Sequence, residues 1–489
     1  MNSEKRKPNI ILILSDDQGY WAMGCSGNHE IKTPNLDRMA EQGMRMDSMF
    51  CASPVCSPAR ASIMTGTIPS RNGVQDWIQG GNLKEGGISY LEGITAYTDV
   101  LAKNGYVCGI SGKWHLGNSF MPQKSFSHWY VHQKGSGNYY DAPMVRNGEA
   151  VNEPGYITDV ITDDAIGFIE SHKNVDDPFY LSVHYTAPHN PWDEEQHPKE
   201  YRDLYKDCPF DTAVQEPFHP DAVYRYTPED AKVSLIGYYA SITAMDHNIG
   251  RIFNCVRCSG LSENTLVIFT SDNGFACGQH GIWGKGNGTL SLNMYDTSVK
   301  VPAIFWRPGH IPAGVVSKEL MSHYDLMPTL LEYCGINYQD ETLPGRSFAP
   351  LLRGKPCVGR EEVVIYDEYG PVRMIRTKEW KYVHRYPYGS HELFHLTDDP
   401  DERENLVERV EYASIVEDMR LRLTRWFVRY VNPEIDAVRE PVRGNGQICR
   451  PGIYSGGKIA FDQGRMIKTD PSDDPGSNDF ERSVRKTRR

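Results

Sequence analysis

Four short apolar runs in this chain end in the residue types that bind cations, hold anions and move protons. Asn9 to Leu14 leads into Ser15-Asp16-Asp17, and Leu266 to Thr270 leads into Ser271-Asp272-Asn273-Gly274. Asp16, Asp17, Asp272 and Asn273 therefore offer hard oxygen donors at two strand ends, a set that suits calcium or magnesium. Taken singly, each acidic pair reads as a turn or a helix cap; their symmetry carries the metal reading. A third run, Tyr106 to Ile110, leads to Gly112-Lys113-Trp114-His115, and a fourth, from Phe179, passes through His184 to Ala187-Pro188-His189. These add a lysine and proton-transferring imidazoles.

Pro54-Val55-Cys56-Ser57-Pro58-Ala59-Arg60 supplies a second kind of chemistry. Proline suits a first helical turn, so residue 56 is expected beside free backbone N–H groups at the positive end of a helix, a natural seat for a tetrahedral anion. Arg60 adds a fixed charge nearby.

Such residues need a scaffold that gathers strand ends. Apolar runs too short for helices, alternating with helix-like segments, are the pattern of strands buried in an α/β sheet. Sheets of this kind bind ligands at the carboxyl ends of their strands. Ala303 to Trp306 is a further strand candidate, and Thr33-Pro34 opens a short helix striped by Leu36, Met39 and Ala40 and stopped at Gly43. The expected fold is α/β, a large central mixed, mostly parallel sheet sandwiched by helices over residues 1–355. After Pro356 the texture changes to runs at Val363 to Tyr366, Val372 to Thr377, Tyr382 to Tyr386 and Leu393 to Leu396, spaced as an antiparallel meander. Ile415, Met419, Leu423, Trp426 and Tyr430 then recur at helical spacing. A smaller C-terminal domain of antiparallel sheet plus helix is therefore expected over 356–440, followed by a tail or docking arm over 441–489, flexible beyond about Asp470.

The stretch from Pro54 to Gly66 resembles the signature of the formylglycine-dependent sulfatases of the alkaline phosphatase superfamily: cysteine-x-proline-x-arginine, with a glycine six residues after the arginine. Gly105 to His115 is similar to the second signature of the same family, and two long motifs in order are far more specific than a lone glycine loop. The resemblance extends from Pro8 to about Leu406, taking in Asp325 to Leu330 and, in the smaller domain, Glu392 to Leu396 with Asp399-Pro400. It implies that Cys56 becomes formylglycine, installed by a maturation enzyme. In the family its hydrate attacks sulfur in line, and the second hydroxyl then collapses to expel sulfate. It also implies that Asp16, Asp17, Asp272 and Asn273 hold calcium, and that Arg60, Lys113 and Lys285 neutralise the sulfate or the leaving oxygen. His115 would deprotonate the diol, and His189 with Lys285 would protonate the departing alcohol. Calcium and three basic side chains against three aspartates leave a local charge of +2 for an anionic ester.

That local charge stands out because the whole chain carries −12, which argues against nucleic acid as a partner. No stretch reaches membrane-spanning length, and the run after the N-terminus is too short for a signal segment, so a cytoplasmic location is expected. The eleven cysteines show no disulfide framework, and Cys255 and Cys258 lack the second pair that zinc needs. Substrate contacts are sought in Asp76 and Trp77 after the nucleophile helix, with Trp77 as a sugar-stacking platform, and in His280 near Lys285. Tyr139, Tyr140, His384, Arg385 and Tyr388 are further loop candidates. The expected substrate is a sulfated carbohydrate. Aryl or steroid sulfates remain alternatives, as does hydrolysis of phosphonate monoesters or phosphodiesters by the same superfamily, and an oligomer is compatible with the sequence.

Overall fold

The computed structural model describes residues 7–464 apart from 81–82, 358, 368–371, 387–388, 437, 439, 441 and 443. Ten strands make the main sheet: β1 (Asn9–Ser15), β2 (Met44–Met46), β3 (Val107–Lys113), β4 (His128–His132), β5 (Ala142–Arg146), β6 (Glu149–Glu153), β7 (Phe179–His184), β8 (Thr265–Ser271), β9 (Ala303–Trp306) and β10 (Val315–Ser317). Their spatial order is β10-β2-β9-β8-β1-β7-β3-β4-β5-β6. The strands from β8 to β4 run parallel, while β9 and the β5–β6 hairpin are antiparallel to their neighbours. Because β8, β1, β7 and β3 are parallel, Ser271, Ser15, His184 and Lys113 end at one rim. The candidate residues follow directly from these ends.

β1 sits at the centre and both its faces are buried. Ile11 and Ile13 pack with Leu36 and Met39 of α1 (Pro34–Gln42), Ile161 and Ile169 of α3 (Ile157–His172), and Met245 and Ile249 of α4 (Pro228–Cys258). Ile10, Leu12 and Leu14 face the other way, into a core shared with Ala61, Ile63 and Met64 of α2 (Cys56–Thr65). Alternation along one strand thus serves two layers, which explains why the run is apolar throughout.

The smaller sheet is a meander in chain order: β11 (Val363–Asp367), β12 (Val372–Arg376), β13 (Trp380–Arg385) and β14 (Glu392–His395). The helix α5 (Ala413–Tyr430) covers it with Met419, Leu423 and Phe427. The sheet's other face, with Val363, Ile365, Met374 and Val383, joins the core of the main domain. Residues 444–464 fall in the stretch expected to be a tail or docking arm. They lie on the main domain, with Gln447 and Phe461 buried, while 465–489 lie outside the described residues. The reason is hydrogen bonding rather than apolar periodicity, and a sequence pattern does not register it.

A buried ion cluster seals the two sheets together. Lys381 of β13 bonds Asp296 at 2.8 Å and also Glu402, Arg376 reaches Asp296 at 3.0 Å, and Glu402 accepts from the Asp296 backbone N–H at 2.7 Å. Lys381→Met is expected to destabilise the fold by about 3–5 kcal/mol at pH 8, since removing one partner of a buried pair leaves the other charges uncompensated. Burial, opposed by Lys381 and reinforced by Asp296, pushes the Glu402 carboxyl up to about 7. A carboxyl raised in the folded state holds its proton more tightly there than in the unfolded chain. Without Lys381, which holds that carboxyl down, Glu402 in the variant binds its proton more tightly than in the wild type, and the penalty shrinks as pH falls from about 8 to 5.5. Urea unfolding at the two pH values checks size and sign.

Candidate active site

Each strand end delivers its side chain by a sharp local turn. Asp17 has φ 64° and His115 φ 54°, left-handed values that non-glycine residues adopt only where the surroundings hold them. Gly112 must be glycine, because an added Cβ would lie 1.9 Å from the His184 carbonyl oxygen. α2 begins at Cys56 with Pro58 in its first turn, and all ten of its residues are buried. A wholly buried helix N-terminus with no acidic residue in its first turn is a fixed positive end aimed into the site.

Around residue 56 three carboxylates meet three cations, one to one. Asp272 accepts from Arg60 Nε at 2.9 Å and forms an ion pair with its Nη2 at 2.9 Å, Asp16 accepts from Lys113, and Asp17 accepts from Lys285 at 2.6 Å. Cys56 Sγ lies 3.3 Å from Asp16 Oδ1 and 3.0 Å from Lys285 Nζ. Arg60 also donates to the Lys113 carbonyl at 3.1 Å, tying α2 to the end of β3. Among the described residues, both groups of side chains able to hold a metal ion include Asp16 and Cys56, one with Asp17 and Asp272, the other with His189. Asn273 donates its amide N–H groups to Asp17 at 2.7 Å and to the Gly274 carbonyl at 2.9 Å, leaving a buried Oδ1 without a hydrogen-bond donor. Three carboxylates and an orphaned amide oxygen fit a hard cation.

His189 points Nδ1 at the Asn190 carbonyl, 2.9 Å away, and Nε2 toward Asp17 Oδ2 at 3.6 Å. His115 donates from Nε2 to the Ile78 carbonyl at 3.0 Å, and its buried Nδ1 has no hydrogen-bond partner among the described residues. Burial and the neighbouring Lys113 push the His115 imidazolium well below its ordinary range, so the ring is neutral at pH 7. Burial, then Asp16, pushes the Cys56 thiol up to about 12, against the pull of Lys113 and Lys285. An unmodified thiol held this way is a poor thiolate nucleophile.

The model of the sulfatase family matches residues 8–336. The chain belongs to the sulfatase family. It is therefore a sulfuric ester hydrolase. A second model, the C-terminal region of N-sulphoglucosamine sulphohydrolase, matches residues 278–428 of this sulfatase. It is 28% identical to N-acetylglucosamine-6-O-sulfatase of Bacteroides thetaiotaomicron over 84% of either chain. Human arylsulfatase A is 31% identical, over 84% of this chain and 85% of the relative. Among solved structures, a protein in complex with its substrate D-glucosamine-2-N,6-O-disulfate superposes with TM-score 0.75 at 25% identity, covering 87% of this sulfatase and 98% of that chain.

The structure of the sulfatase thus brings Cys56, Arg60, Lys113, Lys285, His189, Asp16, Asp17, Asp272 and Asn273 into one cluster. The expected substrate contacts have the following neighbours. Asp76 accepts from the N–H groups of Trp77 at 2.7 Å and Gly446 at 3.0 Å, and the Trp77 indole donates to the Gly444 carbonyl at 3.1 Å. Both are engaged by the C-terminal segment. His280 stacks on Tyr295 with ring centroids 4.0 Å apart. Tyr139 is buried and donates to the His189 carbonyl at 2.7 Å, supporting that loop from beneath. Arg385 donates to the Leu292 carbonyl at 2.8 Å, His384 stacks on His391, and Tyr388 lies outside the described residues. Sequence reasoning missed Asn293, which donates to the carbonyls of Lys285 and Gly286 at 2.9 and 3.2 Å and so fixes the lysine's loop. An asparagine in a Gly- and Ser-rich stretch carries no signal that separates this from an ordinary turn.

Proposed function

We propose that this sulfatase hydrolyses sulfate monoesters of glycosaminoglycan-type sugars, using formylglycine at position 56 and calcium held by Asp16, Asp17, Asp272 and Asn273. The observation that carries the reading is the neutral arrangement of three carboxylates and three cations around residue 56. Adding a divalent cation to that balanced set leaves a local excess of positive charge, which suits a sulfate ester. An all-oxygen donor set favours calcium over the imidazole-rich sites of transition metals. When present, formylglycine supplies a hydrated aldehyde oxygen as nucleophile, and calcium supplies charge against the sulfate oxygens.

The remaining work falls to the chain's own side chains. Arg60 and Lys113, locked by Asp272 and Asp16, present fixed positive charge to the sulfate without reorganising. His115, neutral and with Nδ1 free, is the base at residue 56. His189, whose Nδ1 is committed to Asn190, offers Nε2 as the acid toward the departing alcohol, with Lys285 beside it. The sugar preference is supported by the relatives, one named as an N-acetylglucosamine-6-O-sulfatase and one solved with a disulfated glucosamine.

Peptide mass across residue 56 in active protein, with sulfate release from sulfated aminosugars, an aryl sulfate and its phosphate analogue, tests this. An aldehyde mass with preferred sulfate release is expected; preferred phosphate cleavage would move the chain to the phosphoester-cleaving branch. Stripping divalent cations with a calcium-selective chelator is expected to lower turnover at least about 10²-fold and added calcium to restore it. Turnover indifferent to chelation would remove the metal from the mechanism.

A further inference from the structure

We propose that Gln447 is a positioning residue for His115, acting through the backbone of Ile78. The inference rests on the reading of His115 as the base.

In an extended segment, successive residues turn their peptide groups to opposite sides. Residues 77–79 use this to face two partners. On one side, Ile78 N–H donates to Ser57 Oγ at 3.2 Å, next to the nucleophile position, and Ile78 C=O accepts from His115 Nε2 at 3.0 Å. On the other, the Trp77 carbonyl accepts from Gln447 N–H at 2.7 Å and Gln79 N–H donates to the Gln447 carbonyl at 3.2 Å. One residue of the C-terminal segment thus holds the edge opposite to the catalytic one.

The Gln447 side chain, wholly buried, reinforces the grip. Its Oε1 accepts from the N–H groups of Gln75 at 2.9 Å and Asp76 at 3.3 Å, and its Nε2 donates to the carbonyls of Gly73 at 2.8 Å and Cys449 at 3.0 Å. Gly446 N–H bonds Asp76, and Gln79 Nε2 bonds both the Asn445 carbonyl and Asp462, each at 2.8 Å. No apolar packing could fix residues 75–79 so closely, because these bonds set both register and direction.

The consequence for chemistry lies in the histidine tautomer. A carbonyl only accepts, so the bond to Ile78 puts the ring proton on Nε2 and leaves Nδ1 as the acceptor. The backbone of His115 is in the left-handed region at φ 54°, a conformation that persists only where neighbours over-determine it. Gly135 packs against the ring, since a Cβ there would lie 2.4 Å from its Cε1 and Nε2. If the Ile78 carbonyl shifts, the ring loses the partner that selects its tautomer.

The test compares Gln447→Ala, His115→Ala and the double variant in the full-length, calcium-loaded enzyme. Gln447→Ala is expected to lower kcat about 10- to 100-fold, the usual effect of removing an orienting partner. KM and calcium affinity should stay within about twofold, since no substrate or cation contact is removed; a loss caused by general destabilisation would persist in the His115→Ala background. In the His115→Ala background the same change should lower kcat by less than about twofold, because residues acting through one group are not additive. A full second loss in the double variant overturns the inference, as does an unchanged kcat in Gln447→Ala alone. Full activity in His115→Ala instead removes the base reading on which it stands. If Gln447→Ala does not fold, Asp462→Ala, which loosens Gln79 from the half-buried end of the brace, should lower kcat in the same direction by a smaller factor; no change there overturns the inference.

Discussion

Cys56→Ala is expected to lower sulfate release at least about 10⁴-fold, the scale on which removal of a nucleophile acts, while shifting the melting temperature by only a few degrees. The stability expectation follows from the ion pairs. Lys285 keeps Asp17 and Lys113 keeps Asp16 when the sulfur is gone, so no buried charge is orphaned. Cys56→Ser separates two chemistries. Serine supplies an oxygen but no aldehyde, so the variant should be as inactive as alanine under formylglycine chemistry. Sulfate-release assays with thermal melts of both variants provide the check, and wild-type-like turnover in either one would sink the role given to residue 56.

Asp272→Asn should weaken calcium binding and kcat together by at least about 10²-fold, since one of three anionic donors to the cation is lost. It should also cost about 3–5 kcal/mol of stability, because the carboxylate is the close ion-pair partner of Arg60, a guanidinium 1% exposed. The asparagine oxygen can still accept from the N–H groups of Asp17 and Asn273, which Asp272 Oδ1 holds at 3.2 and 2.9 Å. The loss is thus one of charge rather than shape. Calcium titration calorimetry and chemical denaturation measure the two effects separately. Unchanged calcium affinity with reduced stability would leave Asp272 as a structural partner of Arg60 only.

The chemistry of this site was legible because parallel strands end together. Asp16 and Asp272 directly follow buried strands and Lys113 is the last residue of one, and that adjacency survives in the fold. The smaller sheet and α5 were legible for the same reason, since each is a local periodic pattern. The β5–β6 hairpin went unread although Asn147-Gly148, both with positive φ, is a turn signal between its strands. What sequence could not show are single polar contacts across long separations. Gln447 meets Gln75 across 372 positions, and Lys381 meets Asp296 across 85. Neither leaves a period, and the same holds for the contacts of Asp76 and Trp77 with the C-terminal segment.

The central place of β1 also governs how the molecule comes to exist. Its neighbours in the sheet are β7, some 170 residues later, and β8, some 256 later, as in Ile10 against Tyr180 and Leu266. β1 is thus made before either partner: both its edges stay bare until β7 has been made, and one stays bare until β8 has been made. Ile10-Ile11-Leu12-Ile13-Leu14 is an uncharged β-prone run, the kind that self-associates when left unpaired. High contact order of this sort slows folding, and nascent chains of this protein should therefore depend on holding chaperones during synthesis. Refolding yield from urea should fall steeply as protein concentration rises.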